Sequence, residues 1–233
     1  MPSPRLLAAL MSLSLMGPAT AQNVPVTGRA VVQHAKPGGD NAGVAVWLLP
    51  LDQTLPLNAQ GKRFQLVQKD KKFEPHLLIV PVGAMVEFPN RDPFFHNVFS
   101  LYDGRRFDLG LYEAGSSRSV QFNRAGVSYV FCNIHPQMSA VVISVSTPFY
   151  TITGKDGRFS FPDVPPGRYR LKVWYERALP EKLAGLAREV TVAAGQRDLS
   201  EVTVAEEASL PVPHKNKYGR EYDNTSSPYG PVR

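Results

Sequence analysis

The chain has 233 residues, with 26 Lys and Arg against 20 Asp and Glu and a formal charge of +6. That length accommodates one large or two small domains. The basic residues are scattered rather than clustered, which argues against a nucleic-acid partner, and a single Cys excludes an internal disulfide.

Residues 1–21 read as a secretory signal peptide. Arg5 is a lone positive charge, residues 6–16 are an apolar run, and Ala19-Thr20-Ala21 is a cleavage signature before Gln22. The run is too short to cross a bilayer. No later stretch is long enough, so no integral membrane span is expected. The mature chain, at about +5, is predicted to be periplasmic or secreted. Most of its charges are solvated, with an acidic protein or anionic surface as the natural partner.

Residues 22–61 hold two β-rich runs. Val26-Thr27-Gly28-Arg29-Ala30-Val31-Val32 is one and Val44-Ala45-Val46-Trp47-Leu48-Leu49 the other, with Gly38-Gly39-Asp40-Asn41 as the breaker between them. Residues 50–61 are polar and Pro-containing, a linker pattern. From Lys62 the pattern becomes short strands at regular spacing. They are predicted at 64–68, 76–80, 84–88, 96–101, 119–122, 127–132 and 140–145, separated by turn signals such as Val82-Gly83, Asn90-Arg91-Asp92-Pro93 and Asp103-Gly104. Many short strands with this punctuation predict an antiparallel sandwich.

One stretch carries the chemistry. In Cys132-Asn133-Ile134-His135-Pro136-Gln137-Met138 the only cysteine is followed by His135 at Cys+3 and Met138 at Cys+6, and Phe94-Phe95-His96-Asn97-Val98 supplies a second histidine. Thiolate and thioether are soft ligands and imidazole is borderline. Two His and one Cys with a weak axial Met describe a mononuclear blue-copper site for one-electron transfer. Zinc suits the Cys and His but not the thioether, and a hard cation would want carboxylates. An unpaired thiol in an oxidising compartment is a liability unless buried or metal-bound. Along the preceding strand Ser128, Val130 and Cys132 share one face, so Cys132 is expected to leave it facing the interior.

These residues resemble a cupredoxin over 62–147, in loop length closest to the amicyanin and plastocyanin type. The likeness rests on Phe73-Glu74-Pro75, on Val82-Gly83 followed by Val86-Glu87-Phe88-Pro89-Asn90, on His96-Asn97-Val98, and on Cys132-x-x-His135-x-x-Met138. The resemblance implies one copper ion held by His96, Cys132, His135 and Met138. It also implies that the Asn97 side chain hydrogen-bonds across to the Cys strand, and that a redox protein docks briefly near His135. Residues 105–112 depart from the family pattern.

After Thr147 the texture changes. Residues 151–161 read as a hairpin around Asp156-Gly157. Asp163-Val164-Pro165-Pro166-Gly167 is a turn, and Tyr169, Leu171 and Val173 alternate with Arg168, Arg170 and Lys172 on an amphipathic strand. Residues 180–187 suggest a short helix, and 190–192 and 202–204 two more strands. Residues 148–206 resemble a carboxypeptidase-regulatory-like (prealbumin-like) domain through Asp156-Gly157-Arg158-Phe159 and Val164-Pro165-Pro166-Gly167-Arg168-Tyr169-Arg170-Leu171. That family normally begins with two strands, which here occur only at Gly28-Arg29-Ala30-Val31 and Gly43-Val44-Ala45-Val46. Two organisations stay open. Either the cupredoxin-like segment interrupts a split prealbumin-like domain, or residues 26–51 are extra strands of the cupredoxin-like segment. Pairing of 44–49 with 150–174 discriminates between them. Residues 207–233, rich in Pro, are expected to be a flexible tail.

The expected fold is therefore all-β: a cupredoxin Greek-key β-sandwich plus a second, smaller prealbumin-like β-sandwich. His34, His76 and His214 are not expected to be ligands. With no second cluster and no catalytic motif, the expected role is electron transfer rather than enzyme catalysis. The alternatives are a copper carrier or sensor without an electron-transfer partner, and an interaction or glycan-binding β-sandwich.

Overall fold

The computed structural model describes residues 22–57, 62–101, 104–207 and 215–222. The signal peptide expected at 1–21 and residues 208–214 and 223–233 of the expected tail, His214 among them, lie outside the described residues.

The described chain is nearly all β. Its strands are β1 (Val24–Gln33), β2 (Ala45–Pro50), β3 (Phe64–Gln65), β4 (Val67–Lys69), β5 (Lys72–Glu74), β6 (Leu77–Pro81), β7 (Ala84–Pro89), β8 (His96–Ser100), β9 (Phe107–Tyr112), β10 (Ser117–Phe122), β11 (Gly126–Phe131) and β12 (Ser139–Val145). They continue as β13 (Tyr150–Ile152), β14 (Arg158–Val164), β15 (Gly167–Trp174), β16 (Arg188–Val192) and β17 (Asp198–Ala205), with one short helix, α1 (Pro180–Gly185), before β16.

The middle of the chain makes a sandwich. A five-stranded sheet, β6-β12-β11-β8-β9, faces a three-stranded sheet, β10-β7-β3, and β4 and β5 form a separate hairpin. Between the sheets lie Leu66, Val86, Phe88, Val98, Phe122, Val130 and Val142, together with Cys132 and Met138. The alternation along β7 places Ala84, Val86 and Phe88 inside while Met85 is exposed, as period-two patterning requires.

The outer strands of the chain make the second unit. Strand β2 pairs antiparallel with both β13 and β15, and β1 pairs with β14 and, in parallel, with β17. These two sheets, β14-β1-β17 and β13-β2-β15-β16, enclose Val26, Ala30, Val46, Leu48, Phe161, Tyr169, Leu171 and Val204. The same cluster takes in Ile79, Val141, Ile143 and Val145 from the five-stranded sheet. That sheet is thus covered on both faces, which is why 140–143 is a continuous apolar run rather than an alternating one.

One expectation is corrected here. Residues 151–161 do not form a hairpin: β13 joins β2 in one sheet and β14 joins β1 in the other. The Asp156-Gly157 turn is present, but it docks on β1, where the Ala30 N–H donates to the Gly157 carbonyl at 2.8 Å. Gly157 has φ +74, and a Cβ there would run into the Ala30 carbonyl, so only glycine fits. With Phe159 packing over Gly28, burial against β1 outweighs local pairing with β13. Residues 105–112, the departure from the cupredoxin pattern, supply β9, an edge strand against β8.

Candidate metal centre

Local structure places the donors. His96 opens β8, and Cys132 follows the last residue of β11; the two strands meet at Phe131 opposite Phe99. His135 and Met138 lie on the connection to β12, which two backbone bonds close: Met138 N–H to the His135 carbonyl at 3.0 Å and Cys132 N–H to the Met138 carbonyl at 3.2 Å. His96 and Cys132 are fully buried, and His135 is 7% exposed.

The His135 Nδ1 lies 3.1 Å from His96 Nδ1, and the Cys132 Sγ lies 3.7 Å from His96 Nδ1 and 3.6 Å from His135 Nδ1. The point equidistant from the three atoms is about 2.0 Å from each, the length of a metal–imidazole bond. Among the described residues these three form the group able to hold a metal ion. Met138 is fully buried in the same cluster as Cys132.

The histidine orientation has a visible cause. His96 Nε2 lies 2.8 Å from Asp92 Oδ2, so that nitrogen carries the proton and Nδ1 presents its lone pair to the centre. Asp92 is itself held by the N–H groups of Asp70 at 2.7 Å and Lys71 at 3.0 Å. Burial pushes the Asp92 carboxyl up, but the N–H donors of Lys71 and Asp70 and the His96 ring outweigh it and hold it below the usual carboxylate range. Asp92 was legible in the sequence only as a turn residue. Its position four before His96 is the signal that links it to the site.

Burial lowers the His96 ring, against the raising effect of Asp92. Burial, with His96 and Lys71 close by, brings His135 down to about 4. Both rings are therefore neutral and ready to coordinate near pH 7. Burial pushes the Cys132 thiol up, against backbone N–H groups of Asn97, Ile134 and His135 aimed at it. A cation at the centre would reverse that balance and hold the thiolate. Phe94 stands against both imidazoles, its ring centroid 5.2 Å from His96 and 5.6 Å from His135.

Asn97 requires a correction. Its side chain does not reach to the Cys strand. Its Nδ2 donates to Asp108 Oδ1 at 2.8 Å, and it is the Asn97 backbone N–H that meets the sulfur. Strand alternation explains this: on β8 the side chains of Asn97 and His96 point to opposite faces. His76 lies outside the site, with Nε2 2.7 Å from Glu176 Oε2, and His34 pairs with Glu206 at 2.7 Å.

A β-sandwich carrying a buried two-histidine, one-cysteine cluster is the class these observations define. A family model described as polysaccharide lyase family 4, domain II, matches residues 135–199. No curated protein matches the chain. Among solved structures the chain is similar to a purple cupredoxin from Nitrosopumilus maritimus, with 23% identity, 35% of this chain and 99% of that chain covered, and a TM-score of 0.32. A reduced amicyanin mutant matches at 23% identity over 42% of this chain and 99% of its own, with a TM-score of 0.33. The copper-containing nitrite reductase of Thermus scotoductus SA-01 matches at 21% identity over 50% of this chain, with a TM-score of 0.35, and the matched region is 28% of that enzyme's chain. Among the described residues no helix is long and apolar enough to cross a membrane.

Proposed function

We propose that this protein is an exported one-electron carrier in which His96, Cys132, His135 and Met138 would hold one copper ion. The observation that carries this reading is the triangle of buried donor atoms, with edges of 3.1, 3.6 and 3.7 Å. The donor set, two imidazoles, a thiolate and a thioether, is that of a blue-copper site. Copper bound there would supply a reversible one-electron couple.

The rest is the work of the chain. Asp92 holds His96 in the ligating tautomer. Three backbone N–H groups fix the sulfur and lower its basicity. Burial excludes water from the donor atoms. Phe95 and Pro136 are exposed next to the two histidines in sequence, and Lys71 lies 5.5 Å from the Phe94 ring. An apolar surface edged by lysine suits brief docking of an acidic redox protein, because weak redox encounters use small interfaces. Burial of the donors favours retention of the metal over delivery to an acceptor.

In this reading residues 24–50 and 150–205 are one β-sandwich interrupted by the copper-binding sandwich of 62–147. The pairing of β2 with β13 and β15 supports it; chain ends that lie close together tolerate such an insertion. The signal-peptide pattern of residues 1–21 supports a periplasmic or secreted location.

The deciding experiment is the optical spectrum of copper-loaded, oxidised protein. A visible thiolate-to-copper band is expected, and Cys132→Ser is expected to abolish it. A Cys132→Ser protein that kept full colour would overturn the ligand assignment. The carrier or sensor alternative predicts no redox cycling with a partner protein, and the interaction-module alternative predicts ligand binding that copper removal leaves intact.

A further inference from the structure

Residues 215–222 lie against the ligand loop, although nothing in their local sequence marks them as part of a metal site. They form a compact turn built on Asn216. Its Oδ1 accepts the N–H groups of Tyr218 and Arg220, each at 3.0 Å, and its own N–H donates to the Arg220 carbonyl at 2.8 Å. Expected as part of a flexible tail, this segment is instead tied down at both ends. The Lys217 N–H donates to Asn133 Oδ1 at 2.9 Å, and Lys217 Nζ donates to Asp108 Oδ2 at 2.8 Å. The Tyr222 hydroxyl donates to the Cys132 carbonyl at 2.9 Å.

Those anchor points converge on the sulfur. Asp108 holds Lys217 with one oxygen and the Asn97 side chain with the other. Asn97 in turn aims its backbone N–H at Cys132 Sγ. The turn therefore grips the backbone of the cysteine itself through Tyr222, the next residue through Asn133, and β9, the strand beyond β8, through Asp108. Burial raises the Tyr222 phenol above its ordinary range, so its hydroxyl stays protonated and able to donate throughout the physiological range.

We propose that residues 215–222 are a strap that positions the Cys132–Met138 loop, with Tyr222 and Lys217 as its positioning residues, and that the strap slows the escape of a soft metal ion from Cys132. The kinetic half rests on the copper reading, whereas the ordering of the loop does not. Physically, the loop is closed by two backbone hydrogen bonds of its own, and removing the Tyr222 donor leaves the buried Cys132 carbonyl with a lost partner. Loop opening, which both amide exchange and metal escape require, then becomes easier.

The test uses the full chain as Tyr222→Phe, Lys217→Ala and Lys217→Arg, with Arg220→Ala as the control, since Arg220 is exposed on the same turn. Amide hydrogen exchange in the metal-free protein reads the loop directly, at Cys132 and Met138. Tyr222→Phe is expected to speed exchange there about fivefold, the factor that one ordinary hydrogen bond represents. In copper-loaded protein, removal of Cu(I) by a chelator is expected to quicken by the same factor, and the position of the visible band to shift. Lys217→Arg is expected to restore part of what Lys217→Ala loses. The thermal midpoint of the whole chain should fall by no more than about 2–4 °C, the shift that one hydrogen bond represents, while the faster exchange is confined to Cys132 and Met138, which a merely structural role would not predict. Unchanged loop exchange in both Tyr222→Phe and Lys217→Ala would overturn the strap, as would an equal effect of Arg220→Ala. If the unaltered protein takes up no copper, the copper reading falls while the exchange experiment still decides the strap.

Discussion

The metal end of the 64–145 sandwich and the core of the outer layers bury opposite kinds of side chain. In the outer layers the buried set is Val, Leu, Phe, Ala, Trp and Tyr, and the buried Thr153 is neutral and bonded to the Asn41 carbonyl at 2.6 Å. At the metal end Gln68, Asn90, Asp92, His96 and His135 are all buried within one sandwich end. Apolar burial stabilises by about 25 cal/mol per Å², so the outer layers gain from every residue they cover. Buried titratable groups cost free energy unless each is paired. Here the pairing is directional: Asp92 serves His96, and the Nδ1 atoms of the two histidines are left facing each other and the sulfur. What the difference teaches is that one region is arranged for stability and the other around buried donors that could hold a metal ion.

Deleting core volume separates the two most sharply. Leu171, fully buried in the outer layers, is expected on truncation to Ala to lose about 2–5 kcal/mol of stability, measured by urea denaturation. The visible spectrum per folded molecule should not change. A changed spectrum would break the comparison by showing that the two regions are mechanically one.

Acidification should act on the metal end. His135 titrates near 4 in the fold against about 6.5 in the unfolded chain. Between those values the unfolded state binds the extra proton, so metal-free stability is fully present above about pH 6.5 and falls as pH drops toward 4. His96, also lowered, acts in the same direction. A loss on the order of 2–3 kcal/mol is expected across that window, read by denaturation at stepped pH. Copper loading should flatten it, because the ring nitrogens are then occupied. A flat metal-free profile would mean the imidazoles are not held neutral.

Asp92→Asn sharpens the account of the ligand shell. The amide is a neutral, weaker acceptor that can also turn its NH2 toward the ring, so it fixes the His96 tautomer less firmly than the carboxylate, and copper affinity should fall about 10–100-fold, measured by chelator competition. The smallest effect belongs to the pair joining the two regions. The hydrogen bond that His76 donates to Glu176 raises His76, against burial, so this pair contributes below the unfolded histidine pKa and is lost as pH rises through the raised value. With both side chains well exposed, Glu176→Gln should cost less than about 1 kcal/mol at low pH and nothing at high pH. Its pH dependence runs opposite to that of His135, which is the cleanest sign that the two regions titrate separately.

Much of this was readable along the chain. The Cys132, His135 and Met138 spacing, the preceding strand that turns Cys132 inward, and the alternation of Tyr169, Leu171 and Val173 are all local patterns, set by the period of a strand and the chemistry of turns. The candidate donor set needed only the residue types. The position of Asp92 was visible without its role, because a carboxylate in a turn looks the same whether or not a histidine later leans on it.

Other features have no local signature. That β13 and β14 part company across the Asp156-Gly157 turn, that β1 and β2 join strands more than a hundred residues away, and that Tyr222 meets Cys132 were decided only by the folded arrangement. The reason is physical. Closing a longer loop adds little entropy cost, so which strand pairs with which depends on the total apolar surface each arrangement buries, and that total exists only once every layer is in place.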